Sequence, residues 1–233
     1  MIRSICIITA RGGSKRIPRK NIREFCGKPI IAYSIEAALE SSLFDEVMVS
    51  TDDEEIADIA TEYGAVVPFF RSAETSDDYA TTADVVREVL NRYELEGKTF
   101  DVMCCLYPTA PFVTAEELVE AWRLIEDGAP SVVPVTSFDF PPQRGFTLSE
   151  NGELCFAYPE YALTRSQDLS VMVHDCGRFY MAKTKPYLAN NSAVFKGCRA
   201  LFIDPVLVQD IDTLQDWALA ECKYRFLGER GVA

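Results

Sequence analysis

Two adjacent glycines and a cluster of basic side chains follow the first apolar segment of the chain. The residues that could contact a ligand there are Ala10, Arg11, Gly12, Gly13, Ser14, Lys15, Lys20 and Asn21. Phosphate groups are bound by converging backbone N–H groups and cationic side chains, and glycines let a backbone approach such a ligand closely. The spacing matches neither a Walker A loop nor a G-x-G-x-x-G dinucleotide fingerprint. The segment therefore predicts a phosphate-binding loop of another kind, with Arg11, Lys15 and Lys20 supplying positive charge.

Two aspartates lie two positions apart in the segment 209–213, directly after an apolar run. On an extended backbone, side chains at positions i and i+2 point to the same side. Two carboxylates suit Mg²⁺, which takes few protein ligands and completes its coordination with water and phosphate oxygens. Asp212 could instead cap a helix that begins near Leu214, with Gln215 as its partner, whereas Asp210 has no such alternative role. The pair Asp210 and Asp212 predicts a magnesium site.

Three further groups carry side chains suited to ligand contact. Arg71, Thr81 and Thr82 belong to a loop and a predicted helix start, and taken alone they are ordinary for such a position. The segment 107–111 has prolines at its second and last positions, so it ends the preceding strand abruptly and forms a rigid loop. His174 is the only histidine, and a serine or cysteine hydrolase would have to build its catalytic triad on it. Since no nucleophile-elbow sequence is present, we expect a hydrogen-bonded structural histidine.

The net charge and its distribution along the chain argue for some classes of ligand and against others. The net charge is −13, which argues against a general nucleic-acid-binding protein with a broad basic face. Residues 11–28 nevertheless carry +6, so the rest of the chain carries −19. An acidic body with one positive loop indicates a small polyanionic ligand bound in one place, although charge runs are more often solvated faces.

The sequence predicts a cytoplasmic protein that does not enter a membrane. No apolar run approaches the roughly 20 residues that a membrane-spanning helix needs. At the amino terminus a short apolar run precedes a basic cluster, which is the reverse order of a signal peptide. The eight cysteines show neither C-x-x-C pairs nor zinc-like spacing, so we expect structural thiols.

Short apolar runs alternate with helical patterns and predict an α/β fold. The predicted strands are Ile5–Ala10, Val47–Ser50, Val102–Leu106, Ser131–Val135 and Ala200–Ile203. The predicted helices are Ile31–Ser41, Glu54–Tyr63, Thr82–Leu95 and Glu116–Glu126, the last with a capping box formed by Thr114 and Glu117. Near-continuously apolar strands in such an alternation form a mostly parallel sheet covered on both faces, and ligands bind beyond its carboxyl ends. We expect one domain over 1–233.

The alternation stops after Val135, and residues 136–178 form a different kind of segment. Paired prolines, the turn-like Glu150-Asn151-Gly152 and alternating polar and apolar residues predict an inserted β-rich arm. A small hairpin arm is marginally stable alone, so packing against a second subunit would stabilise it.

Six ordered segments resemble the CMP-sialic acid synthetase (acylneuraminate cytidylyltransferase) family. They are ARGGSKRIPRKNI, FCGKPIIAYSIEAAL, VSTDDEEIA, RSAETSDDYATTADV, YPTAPF and QDIDT, and together they cover nearly the whole chain. The resemblance implies a three-layer Rossmann-like nucleotidyltransferase with an inserted dimerisation arm that works as a homodimer. It also implies that CTP and a nine-carbon 2-keto sugar acid (a nonulosonic acid) react, with Mg²⁺, to give a CMP-sugar and pyrophosphate.

The resemblance also implies roles for individual residues. Those implied to contact the CTP phosphates and ribose are Ala10, Arg11, Lys15, Lys20 and Asn21. Arg71 and the pair Thr81 and Thr82 would hold the nucleotide, with the threonines near cytosine. Asp210 and Asp212 match the metal-binding aspartates of the family. Tyr107 and Thr109 fall where the family contacts the sugar acid, and Arg165 and Gln167 of the arm would reach over to it.

Departures from the family pattern bear on the substrate. Tyr107 stands where the sialic acid enzymes usually have glutamine, which argues against N-acetylneuraminic acid. The segments YPTAPFVTAE, PPQR, RSQDL and HDCGRFYM are most similar to members that act on pseudaminic acid, although Arg178 adds a charge near the expected sugar region. The alternatives are N-acetylneuraminic or legionaminic acid, and then the eight-carbon 3-deoxy-manno-octulosonic acid. A metal-dependent glycosyltransferase and a non-catalytic nucleotide sensor are the rivals from other classes.

Overall fold

The computed structural model describes residues 2–77 and 79–229. Eleven strands are present in these ranges: β1 Ser4–Thr9, β2 Glu24–Phe25, β3 Lys28–Pro29, β4 Glu46–Ser50, β5 Val102–Leu106, β6 Ser131–Ser137, β7 Phe146–Leu148, β8 Leu154–Phe156, β9 Val173–Asp175, β10 Phe179–Lys183 and β11 Arg199–Phe202. The helices in the same ranges are α1 Ile30–Glu40, α2 Glu54–Glu62, α3 Ala73–Ser76, α4 Thr82–Leu95, α5 Ala115–Glu126, α6 Thr184–Asn190 and α7 Leu214–Glu229. Every strand and helix predicted above is present, with its ends shifted by at most two residues.

The central sheet has the strand order β11-β6-β10-β5-β1-β4. Strand β1 pairs in parallel with both β4 and β5, and β11 pairs in parallel with β6. Strand β10 is antiparallel to its neighbours β5 and β6, and β9 pairs antiparallel with the far end of β6. The prediction of a mostly parallel sheet is confirmed, but it did not include β10, which joins the two parallel parts.

Helices cover the sheet on both faces, which gives the three layers expected for an α/β domain. Alternate residues of β1 explain this arrangement, because Cys6 and Ile8 pack on one face while Ile5 and Ile7 pack on the other. The first face carries α1, α2 and α5, and the second carries α4 and α6. A third apolar cluster attaches α7 to the start of α1 through Trp217, Phe25 and Tyr33.

The inserted arm leaves the sheet after β6 and returns at β9. Its off-sheet part runs from 138 to 172, because residues 136 and 137 still pair with β9. Strands β7 and β8 form a separate two-stranded hairpin with no partner strand in the central sheet. None of the helices within the described residues is long and apolar enough to cross a membrane. All eight cysteines are free thiols; Cys6, Cys104, Cys105 and Cys176 are buried, whereas Cys155 and Cys222 are exposed.

Candidate active site

A cavity of about 490 Å³ lies beyond the carboxyl ends of β1 and β5. This is the position at which parallel α/β sheets bind ligands. The residues that line it are Thr9, Arg11, Ser14, Lys15, Arg16, Lys20, Asn21, Arg71, Thr75, Asp77, Ala80, Thr82, Val85, Tyr107, Pro108 and Thr109. The fold therefore brings the basic loop, the Arg71 loop, the start of α4 and the segment after β5 to one place.

Some of the predicted contact residues do not line this cavity. They are Ala10, Gly12, Gly13, Thr81, Arg165, Gln167, Asp210 and Asp212. The first three connect lining residues of the basic loop. The others have separate positions, which are described below.

Gly12 lies against the carboxylates that follow β4. Its N–H donates a hydrogen bond to Asp52, with an N–Oδ1 distance of 2.8 Å. A Cβ atom at Gly12 would come within 2.7 Å of Oδ2 of Asp53, whereas at Gly13 it would meet no atom within 4 Å. The glycine at position 12 is therefore required by a close contact inside the protein, whereas the space beside Gly13 is open.

The far end of the basic loop is held by Arg19 and Asn21. Arg19 has a left-handed backbone (φ 57°), and its Nη2 donates to Oδ1 of Asp53 at 2.9 Å. This hydrogen bond holds the pKa of the Asp53 carboxyl below its usual value. The buried side chain of Asn21 donates from Nδ2 to the carbonyl oxygen of Arg11 at 2.8 Å. Arg19 and Asn21 therefore fix the conformation of the loop. Arg19 itself is not one of the cationic side chains that line the cavity.

Arg71 supplies a rigid cation to the lining of the cavity. Its side chain is buried, and its guanidinium donates to Ser50 at the end of β4, with Nη2–O 2.6 Å and Nε–Oγ 3.1 Å. Burial lowers the pKa of this guanidinium. Because the ordinary pKa of arginine is above 12, the side chain remains charged at neutral pH. A fixed positive charge at this position suits an anionic ligand.

Thr81 and Thr82 begin α4 but have different roles. Thr81 caps the helix, because its hydroxyl accepts from the N–H of Asp84 at 3.2 Å and its own N–H donates to the Asp84 carboxylate at 2.9 Å. Thr82 lines the cavity, and its hydroxyl lies 3.4 Å from the hydroxyl of Tyr107. Of the two threonines, Thr82 is the one that lines the cavity.

Tyr107 marks the boundary between the two predicted ligand regions. Its ring packs edge-on against Tyr180, with the centroids 5.8 Å apart, and burial raises the pKa of its hydroxyl. Thr82 was predicted near cytosine and Tyr107 near the sugar acid, and their hydroxyls meet in one cavity. A nucleotide and an acceptor bound in these regions would therefore be adjacent.

The two aspartates lie beside the cavity. The carboxylate of Asp212 is 2.7 Å from Nη1 of Arg16 and 3.6 Å from Nζ of Lys20. Nζ of Lys20 also donates to the carbonyl oxygen of Ile211 at 2.7 Å. Asp210 borders a smaller cavity of about 20 Å³ together with Thr109. Both carboxylates therefore adjoin residues of the main cavity.

The alternative role of Asp212 as a helix cap is wrong. The hydroxyl of Thr213 accepts from the N–H of Asp216 at 3.2 Å, and the Asp216 carboxylate accepts from the N–H of Thr213 at 2.7 Å. Thr213 and Asp216 therefore form the cap of α7, and the carboxylate of Asp212 is not needed for it. The partner was predicted one position too early, at Gln215.

The donor set fits a hard divalent cation with few protein ligands. Within residues 2–77 and 79–229, no three histidine, cysteine or acidic side chains form a group that could bind a metal ion. An ion held by Asp210 and Asp212 would need water and phosphate oxygens for its other positions, and Mg²⁺ accepts such a set.

The predicted contact residues of the arm lie on its exposed surface. Arg165 pairs with Asp168 of the same turn, with Nε–Oδ2 2.8 Å, and Gln167 is exposed beside it. Within one chain neither side chain reaches the cavity. The lone histidine, His174, has Nδ1 2.9 Å from the carbonyl oxygen of Asp175, and its ring packs 4.7 Å from that of Phe138. This agrees with a structural role for His174.

Sequence inspection assigned no role to several residues that shape the site. Asp52 and Asp53 support the basic loop, Thr75 lines the cavity, and the carbonyl oxygen of Asp77 accepts from Nη1 of Arg11 at 3.0 Å. The signal for the first two was present, because they directly follow the predicted strand that ends at Ser50. Side chains at such a strand end are expected at the ligand edge of the sheet.

Comparison with known proteins agrees with this geometry. A family profile described as "Cytidylyltransferase" matches residues 5–196. The chain is 43% identical to the pseudaminic acid cytidylyltransferase of Campylobacter jejuni over 96% of its length and 97% of that protein. It is 35% identical to the CMP-N,N'-diacetyllegionaminic acid synthase of Legionella pneumophila, covering 94% and 95%. The fold is similar to that of a CMP:2-keto-3-deoxy-manno-octonic acid synthetase complexed with CTP, with a TM-score of 0.69, 18% identity and coverage of 97% and 99%.

Proposed function

The chain belongs to the cytidylyltransferase family, and we propose that it transfers the CMP group of CTP to a nonulosonic acid, pseudaminic acid, and releases pyrophosphate. The main support is the cavity beyond β1 and β5, which joins a cationic loop to the segment 107–109. A triphosphate suits the cationic side, and a sugar acid suits the side of Tyr107 and Thr109. The similarity to an enzyme named for pseudaminic acid over 96% of the chain supports this sugar over the alternatives.

The reaction is an in-line displacement at phosphorus. The C2 hydroxyl oxygen of the sugar acid attacks the α-phosphorus of CTP, the bond to the β-phosphate oxygen breaks, and the hydroxyl proton passes to solvent. Such a reaction depends mainly on positioning and on stabilising charge. Arg11, Lys15 and Lys20 bind the phosphates and stabilise the negative charge that accumulates on pyrophosphate, and Arg71 provides a further fixed positive charge in the same cavity.

Asp210 and Asp212 would hold a Mg²⁺ ion, which supplies further positive charge next to the phosphate oxygens when bound. With CTP bound, Arg16 and Lys20 would exchange their contact with Asp212 for contacts with phosphate. The same carboxylate thus pairs with cations of the loop in the free protein and would bind the metal ion when CTP is present. This assignment rests on the donor set and on the position of both aspartates beside the cavity.

We also propose that the protein is a homodimer that assembles through the arm. In the hairpin, Phe146 pairs with Phe156 and Leu148 with Leu154, so all four side chains lie on one face. All four are exposed in the single chain. An apolar face on an isolated two-stranded hairpin is stabilised when a second surface covers it. A second copy of the arm would do so, and it would carry Arg165 and Gln167 towards the partner's cavity.

The cytoplasm suits the proposed enzyme. Eight free thiols persist in a reducing compartment, and CTP is an intracellular nucleotide. The acidic surface outside the basic loop gives no broad face for nucleic acid.

The decisive experiment measures Mg²⁺-dependent pyrophosphate release from CTP with four acids in parallel: pseudaminic, legionaminic, N-acetylneuraminic and 3-deoxy-manno-octulosonic acid. We expect release with pseudaminic acid and formation of its CMP conjugate. Release with the eight-carbon acid alone would show that the substrate is 3-deoxy-manno-octulosonic acid and not a nonulosonic acid. Tight CTP binding without release from any acid would contradict the proposal and favour a nucleotide sensor. Consumption of a nucleotide sugar would favour a glycosyltransferase.

A further inference from the structure

Arg178 is a buried arginine directly before β10, and only 4% of its surface is exposed. Its guanidinium forms a two-pronged pair with Glu117 of α5, with Nη1–Oε1 2.9 Å and Nη2–Oε2 2.7 Å. Two parallel charge-assisted hydrogen bonds fix the orientation of both groups. The charge that Arg178 was expected to add near the sugar region is therefore buried and paired with Glu117.

Arg178 contacts both ends of the rigid loop that follows β5. Its carbonyl oxygen accepts from the N–H of Tyr107 at 2.9 Å, and its Nη2 donates to the carbonyl oxygen of Phe112. Between these two anchored positions lie Pro108, Thr109 and Pro111, so one residue closes the loop from both sides. Thr109, which belongs to this loop, lines the main cavity.

Arg178 also borders the cavity of about 20 Å³ beside Thr109 and Asp210. Its Nε atom is buried and has no hydrogen-bond partner among the described residues. The residue thus lies where the sugar-acid loop meets the segment of the two aspartates, and its position is fixed by its hydrogen bonds to Glu117.

Glu117 connects this arrangement to the start of α5. Its carboxylate accepts from the N–H of Thr114 at 3.3 Å, in the capping box of the helix. Burial raises the pKa of Glu117 and lowers the pKa of Arg178, which shows that desolvation opposes the pair. Buried ion pairs contribute little net stability, and in some proteins they instead specify one arrangement.

We propose that Arg178, held by Glu117, is a positioning residue that fixes the loop 107–112 and thereby sets the affinity for the sugar acid. This inference rests on the proposed function, because Tyr107 and Thr109 are placed against the sugar acid there. The residue does not touch the substrate. It acts through the backbone at Tyr107 and Phe112.

The test compares four variants with the wild type. Arg178→Gln removes the guanidinium, and Glu117→Gln with Arg178→Gln removes both charges, so that no unpaired charge remains buried. Arg178→Lys keeps a cation but not the fork that bonds both Glu117 oxygens. Lys98→Gln is the matched control, because Lys98 pairs with Glu46 at 3.3 Å at the opposite end of β5.

Steady-state kinetics and hydrogen exchange are measured for each variant, together with the melting temperature. We expect Arg178→Gln and the double variant to raise the KM for the sugar acid roughly 10- to 100-fold, because small misplacements of positioning groups have effects of this size. The KM for CTP should change less than about twofold, a difference within ordinary surface effects. The amide protons of Tyr107, Thr109, Ala110, Phe112 and Val113 should exchange faster. Arg178→Lys should recover part of the sugar-acid affinity, and Lys98→Gln should show none of these changes.

The outcomes separate this inference from the proposed function. If folded Arg178 variants keep the wild-type KM for the sugar acid and only their melting temperature falls, the residue is merely structural and the inference is wrong. Equal increases in both KM values would also overturn it. If the wild type turns over no sugar acid, the proposed function is wrong. Faster amide hydrogen exchange at 107–113 in the Arg178 variants would still show that Arg178 positions the loop. Should Arg178→Gln not fold, the neutral double variant gives the same measurements.

Discussion

The carboxylate of Asp212 lies 2.7 Å from Nη1 of Arg16, although the two residues are 196 positions apart in the sequence. The contact joins the basic loop after β1 to the segment before α7. Since Thr213 and Asp216 cap α7, the Asp212 carboxylate has no part in that cap. Because the Asp212 carboxylate is not needed to cap the helix, the role of Asp212 in metal binding can be tested by substitution without unfolding the protein.

Asp212→Ala should abolish Mg²⁺-dependent turnover while the protein stays folded. The carboxylate is about one-third exposed, and loss of a partly exposed ion pair changes stability by roughly 1 kcal/mol or less. The melting temperature should therefore fall by no more than about 4 °C. Glu221→Gln is the control, because Glu221 pairs with Arg225 on α7 and has a similar exposure. Full activity of Asp212→Ala at low Mg²⁺, or wild-type activity after removal of divalent cations with EDTA, would contradict the metal assignment.

Gly12→Ala should destabilise the protein and weaken CTP binding. A Cβ atom there would lie 2.7 Å from Oδ2 of Asp53, and Asp53 cannot move freely because it pairs with Arg19 and caps α2 by accepting from the N–H of Ile56. Overpacking of this kind destabilises a protein by about 1–3 kcal/mol. Gly13→Ala meets no atom within 4 Å and should leave the melting temperature unchanged. Thermal melts and CTP titration calorimetry measure both effects, and equal melting temperatures for the two variants would refute the steric argument.

The pair of Asp53 and Arg19 should make stability depend on pH only in the acid range. Because the pKa of Asp53 is lowered in the folded protein, its contribution is fully present above the unfolded value of about 3.9 and is lost as the pH falls through the folded value. Asp53→Asn retains a capping side chain and removes the charge. The free energy of unfolding in urea should differ between the wild type and Asp53→Asn by about 1 kcal/mol or less at pH 7, because the ion pair is partly exposed. This difference should become smaller below about pH 4. A difference that is constant from pH 7 to pH 3 would show that the ion pair is not its source.

The hairpin face should determine the oligomeric state. Changing Leu148 and Leu154 together to aspartate places two charges on the apolar face, where they lie directly opposite each other. We expect the double variant to sediment as a monomer of 26.1 kDa, and the wild type at twice that mass. Thr147→Asp is the control, since Thr147 points to the other face of the hairpin. A wild type that is monomeric at micromolar concentration, or a double variant that stays dimeric, would exclude this face as the interface.

The elements with strong local signals could be predicted from the sequence. Residues 4–8 of β1 are all buried, and the box of Thr114 and Glu117 is present as expected. Strand β10 was not found in this way, because its central position depends on pairing with the distant strands β5 and β6. Its neighbour Arg178 was misjudged for a related reason, since the sequence shows a charge but not the distant Glu117 that neutralises it.

The sequence predicted which segments form the candidate site, but not which of their side chains line it. The basic loop and the aspartate segment were recognised because several polar side chains are clustered in each. Which member of a pair contacts ligand depends on local hydrogen bonds, and a sequence does not show them. The pair of Thr81 and Thr82 is the clearest example.

Substitution of Thr81 and Thr82 should separate helix capping from nucleotide binding. Thr81→Ala removes the cap of α4 and should destabilise the protein by about 1 kcal/mol, which lowers the melting temperature by about 2–4 °C in a chain of this size. Its KM for CTP should remain near the wild-type value. Thr82→Ala removes a hydroxyl that lines the cavity beside Tyr107, so it should raise the KM for CTP by about fivefold to tenfold, the effect of one lost hydrogen bond, at an unchanged melting temperature. Thr81→Ser retains the hydroxyl and is the control for the cap. If Thr81→Ala instead raises the KM for CTP while Thr82→Ala leaves it unchanged, the roles of the two threonines are the reverse of those that their hydrogen bonds indicate.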